Sequence, residues 1–137
     1  MNYIYWKRFR LKECKSELRS LLHSFSVLRL GLAITFLWIG ILILQEPAAW
    51  GSFIKPWVRS LIVFPLEPIV SSVGVLDVLI GFFLLINRLV RLASAIASIH
   101  LISILVISGI DSITVRDIGL LAGAIALFLE TKQGVVH

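Results

Sequence analysis

The chain has 137 residues, 58% of them apolar and 15% charged, with a mean hydropathy of +0.98; an average soluble domain is roughly 45–50% apolar and about 25% charged. A single domain of this length has too much surface for its volume to hide so much apolar matter from water, which excludes a soluble enzyme, a disordered tail and a collagen-like chain and leaves a small integral membrane protein. The formal charge of +5 does not indicate nucleic acid, because no zinc-finger or RNP-type motif accompanies it and six of the thirteen Lys and Arg residues stand directly before the first long apolar run.

That basic segment opens the chain. Within residues 1–25, Leu11, Cys14, Leu18, Leu21, Leu22 and Phe25 recur at three- and four-residue spacing, which predicts an amphipathic helix, either lying in the inner membrane interface or packed on a partner. Lys7, Arg8, Arg10, Lys12, Lys15 and Arg19 take its other positions and, with Arg29, are expected to meet lipid headgroups, anionic ones included. Cys14 is the only cysteine, so no intramolecular disulfide, CxxC pair or cysteine metal site can form, and a reduced, packed thiol is expected.

The first span is expected over 26–46, broken only by Arg29 and Thr35 in its apolar stretch. About 20 residues of helix cross a hydrocarbon core of about 30 Å, and Arg29, one turn from the inner side, can snorkel toward phosphates. Trp50, Phe53, Ile54, Trp57, Val58, Leu61 and Ile62 then predict a short interfacial helix over 50–63, capping the outer face, with Pro56 at its start or at a kink. Pro65 and Pro68 delay the second span to 70–87, which contains Asp77; the third, 91–110, has His100 near its centre. The fourth, 114–130, is apolar over only about a dozen residues and spans only if the bilayer thins or its ends snorkel. Thr114 and Asp117 give it a capping-box spacing and an acid at the positive helix end. Residues 131–137 are left as a tail. Backbone groups in lipid must be satisfied internally, and the runs lack period-2 alternation, so they read as helices. The expected fold is an all-α integral membrane four-helix bundle with an amphipathic N-terminal interfacial helix and a short interfacial helix in the first outer loop.

With the N-terminus inside, nine Lys and Arg fall on inner segments and three on outer loops, which predicts a multi-pass protein with both termini in the cytoplasm. A cleaved signal peptide is not expected, because the basic region and the apolar run are both too long. Gly119 with Gly123, Ala93 with Ala97 and Ser94 with Ser98 form small-x-x-x-small pairs suited to close helix contact.

Several of these residues resemble motifs of the DoxX-like family of small four-helix membrane proteins. The likeness runs through Arg29-Leu30-Gly31-Leu32, Phe36-Leu37-Trp38-Ile39-Gly40 and Pro47-Ala48-Ala49-Trp50. It resumes at Gly74-Val75-Leu76-Asp77-Val78-Leu79-Ile80-Gly81 and Arg116-Asp117-Ile118-Gly119-Leu120-Leu121. It covers roughly residues 29–129 and departs at Ile41-Leu42-Ile43-Leu44, where many members carry a lysine. The resemblance implies a four-helix transmembrane bundle and a loose link to quinol or thiosulfate oxidation and to redox-complex assembly. It does not by itself fix a function.

Ionisable groups inside spans are costly and so become candidates for function. Asp77, Arg116 and Asp117 are expected at similar depth, which allows an Asp77–Arg116 pair, either structural or part of a proton or ligand site. His100, with Ser94, Ser98 and Ser103 nearby in sequence, reads as a hydrogen-bonded packing residue, a quinone contact or proton relay, or a haem or metal ligand. No metal-binding spacing, nucleophile–base set or phosphate loop is present, so no catalytic residue and no metal site is assigned. Two functions remain. One is a non-catalytic accessory subunit packed against other membrane subunits, plausibly of a redox complex, or against its own copies. The other is a quinone-linked oxidoreductase subunit with Asp77, His100, Arg116 and Asp117 shaping the site.

Overall fold

The computed structural model of the chain describes residues 2–110 and 114–132, with side chains described over 23–110 and 114–131. Among the described residues every regular element is a helix: α1 (Asn2–Gln45), α2 (Pro47–Gly51), α3 (Pro56–Arg59), α4 (Leu66–Leu85), α5 (Val90–Ser108) and α6 (Val115–Lys132). Three helical stretches are long and apolar enough to cross a membrane: His23–Gln45 within α1, all of α4 and all of α5. The chain is thus all-helical and of membrane-protein composition. α6 has 18 residues, but Arg116, Asp117, Glu130 and Lys132 occupy its ends, which leaves too short an apolar middle to rank with the other three.

The element boundaries differ from the sequence reading in three places. α1 runs without interruption through residues 25 and 26, because no glycine or proline precedes Gly31; the basic segment continues the first apolar helix instead of forming a separate one. The side chains of Lys7, Arg8, Arg10, Lys12, Cys14, Lys15 and Arg19 lie outside those described, as do residues 133–137. The single loop helix expected over 50–63 is two short helices, α2 and α3, separated by a bend. Pro47 and Pro56 each open one of them, where a missing N–H costs nothing. For the same reason Pro68 is accommodated in the first turn of α4, which begins at Leu66, ahead of its expected start.

The long helices pack in two close pairs, α1 with α4 and α5 with α6, and the pairs touch less extensively through α4–α5 and α1–α6. The α1–α4 seam brings backbone against backbone at glycines. A Cβ on Gly40 would lie 2.8 Å from the Gly74 carbonyl oxygen, and one on Gly81 would lie 2.7 Å from the Leu37 nitrogen. The expected Gly119–Gly123 contact is looser: a Cβ on Gly119 meets nothing within 4 Å, and one on Gly123 meets only the Leu28 side chain, at 3.2 Å, and that of Leu32 beyond it. Leu32, Phe36, Leu84, Ala97, Leu101 and Leu127 anchor a core between the four long helices, concentrated in the half that ends at the α4–α5 turn. Ile34, Trp38, Leu79, Phe82, Ile99 and Val106 point outward, as lipid-facing positions do.

Candidate functional site

Asp77 lies midway along α4 and is only 2% exposed. His100 projects from the middle of α5, and its Nε2 lies 2.9 Å from Asp77 Oδ1. The two helices are antiparallel across the short turn at residues 86–89, and both residues lie at nearly equal remove from it. The imidazole nitrogen and the carboxylate oxygen are close but poorly aligned, so neither atom has a hydrogen-bond partner. Buried polar atoms are almost always bonded, and an unmade bond in such surroundings is costly.

The pair forms the floor of a cavity of about 250 Å³ in the half of the molecule nearer α2 and α3. Phe36, Ile39 and Ile43 of α1, Val70 and Val73 of α4, Ile104 and Ile107 of α5 and Leu120 of α6 make apolar walls. Trp50, Phe53, Ile54 and Val58 close the far side. Trp50 and Phe53 lie with ring centroids 6.0 Å apart. This cap is tied down: the Lys55 amide donates to the Ile107 carbonyl at 3.4 Å, and the Lys55 side chain crosses directly over Gly109. Gly109 has φ +76, a conformation that a glycine adopts freely, and a Cβ there would collide with the Lys55 chain.

The remaining candidates are arranged differently from the sequence reading. Arg116 does not reach Asp77; its Nε lies 3.6 Å from Oδ1 of its neighbour Asp117. Arg116 is half-exposed, Asp117 is buried, and both border the cavity. The Thr114 hydroxyl donates to the Gly109 carbonyl at 2.6 Å, and the Asp117 amide donates to the Thr114 carbonyl at 2.9 Å. The serines near His100 do not solvate it. Ser94, Ser98 and Ser103 donate to the carbonyls of Arg91, Ser94 and Ile99 within their own helix, the usual recourse of a helical serine. Arg29, expected to reach toward headgroups, donates from one nitrogen to the carbonyls of Leu84 and, at 3.1 Å, Leu85. It thereby caps the end of α4, where carbonyls have no helical partner. No group of three His, Cys, Asp or Glu that could hold a metal occurs among the described residues.

Sequence reasoning selected Asp77 and His100 separately and missed their pairing. Counting residues outward from the α4–α5 turn would have set them side by side. It also missed the aromatic cap as part of a site. No family model, curated protein or solved structure matches the chain.

Proposed function

We propose that this is a multi-pass membrane protein in which α6 forms a fourth span beside α1, α4 and α5, and that its cavity binds a lipid-soluble small molecule. The observation that carries this reading is the pair of unpartnered buried atoms, Asp77 Oδ1 and His100 Nε2, at the floor of a mostly apolar cavity. Ligand sites have this character: apolar walls with a few convergent polar groups that orient the guest. The protein acts by binding, with no catalytic residue of its own. A quinone is the cofactor class that the DoxX-like resemblance implies, and the ring of its reduced, hydroxyl-bearing form would fit between the walls. The test is to purify the protein from membranes in gentle detergent, extract it with organic solvent and identify the lipophiles by mass. A stoichiometric lipophile that is lost when Ile104→Trp fills the cavity supports the reading. An empty wild-type protein, or identical extracts from both, refutes it.

An accessory role in a larger membrane complex is the second reading, and the length of α1 favours it. At 1.5 Å per residue its 44 residues extend ~66 Å, about twice what a span requires. The part preceding His23 carries the basic cluster and would reach beyond the bilayer on the cytoplasmic side, to a partner subunit, a second copy of the chain or anionic lipid. Co-purifying chains that disappear when residues 2–20 are deleted would support this role, and a protein that always isolates alone would count against it.

A further inference from the structure

We infer that the occupant of the cavity carries a hydroxyl head, that of a lipophilic alcohol or phenol, held between Asp77 and His100. The inference rests on the small-molecule reading above and adds the ligand's chemistry. Oδ1 and Nε2 face each other 2.9 Å apart, and both are buried without a hydrogen bond. A carboxylate oxygen accepts and an imidazole nitrogen bearing its hydrogen donates, so the pair presents one acceptor and one donor. A hydroxyl is the simple head that donates and accepts through a single atom. Wedged between the two side chains, it donates to one, accepts from the other and replaces their misaligned direct contact.

Heads that only accept or only donate satisfy half of the pair. A carbonyl or an ether accepts from the donor and leaves the acceptor bare. An ammonium supplies only donors. Beside the floor, Phe36, Ile39, Ile104 and Leu120 offer apolar contact to a ring or chain, and the hydroxyls of Thr35 and Ser103, which also line the cavity, already donate within their own helices. The volume of about 250 Å³ exceeds the ~150 Å³ that houses benzene in an engineered protein cavity, so a substituted ring fits.

The experiment uses the full chain in phosphatidylcholine nanodiscs with three probes of matched apolar bulk: para-butylphenol, its methyl ether and butyl-para-benzoquinone. Binding is read as ligand-dependent thermal stabilisation, with partitioning into empty nanodiscs subtracted. The phenol is expected to bind at least about tenfold more tightly than the ether or the quinone, the scale set by one hydrogen bond to a polarised partner. Asp77→Asn should shrink that preference, and the wild-type comparison decides the matter if this variant fails to fold. An ether or quinone that binds as well as the phenol overturns the hydroxyl inference and leaves the cavity reading standing. No binding by any probe overturns both.

Discussion

A carboxylate only 2% exposed and at mid-helix depth survives because something answers its charge, and here the answer is one imidazole. Removing Asp77 therefore orphans His100. Breaking a buried pair in this way costs about 3–5 kcal/mol in soluble proteins, and less here wherever water reaches the cavity. Asp77→Ala should lower the denaturation midpoint in mixed micelles more than Asp77→Asn, whose amide still offers hydrogen bonds. Wild-type midpoints for both variants would mean that the pair contributes nothing to stability. Arg29 supports a separate prediction. Its guanidinium holds the Leu84 and Leu85 carbonyls, and a bond from a charged donor contributes about 1.5–3 kcal/mol. Arg29→Met should lose an effect of that order and Arg29→Lys only part of it, since an ammonium keeps a charged donor. A wild-type midpoint for Arg29→Met would refute the capping role. The sequence marks Asp77, His100 and Arg29 as suspects through one rule, that ionisable groups are expensive in lipid. It cannot name their partners, because partnership depends on helix rotation and depth, which one-dimensional spacing states only relative to a shared turn.

Helix positions in this fold were largely legible, since apolar runs of membrane length dictate them, whereas the contacts between helices were not. The sequence reading looked for close packing at Gly119 and Gly123, because a G-x-x-x-G is visible within a single stretch of chain. The tighter seam is divided between two helices, Gly40 on α1 with Gly74 and Gly81 on α4, and no local pattern joins them. Gly40→Ala and Gly81→Ala should therefore each destabilise the protein by about 1–3 kcal/mol, the usual cost of overpacking, because the atoms in the way include backbone, which cannot rotate aside. Gly31→Ala and Gly119→Ala, with open space around the added methyl, should be neutral or slightly stabilising through helix propensity. If all four variants melt alike, the seam does not hold α1 to α4. The loop between α1 and α4 was misjudged for a different reason. Its apolar periodicity is genuine, but Pro56 and the bend before it divide the segment, so the pattern builds a cap of two short helices in place of one.

At the scale of the whole molecule, the cavity and the basic end of α1 lie at opposite ends of one apolar helix. The stretch His23–Gln45 is long enough to cross a bilayer once, and on the proposed topology the segments flanking it belong to opposite compartments. Nine Lys and Arg on one set of segments against three on the other favour, in that proposal, the basic end toward the cytoplasm. The capped end, with α2 and α3, would then face outward, and the lipophile would be exchanged with the outer leaflet. The chain provides its own reporter, because Cys14 is its only cysteine and precedes the span. In intact cells an impermeant maleimide should leave the wild-type protein unlabelled and react after permeabilisation. In a Cys14→Ser background, Ser52→Cys should react without permeabilisation, since Ser52 is exposed in the cap. Labelling of both sites from the same side would mean that α1 does not cross the membrane. Labelling of Cys14 from outside and of Ser52→Cys only after permeabilisation would invert the orientation and place the cavity in the cytoplasmic half.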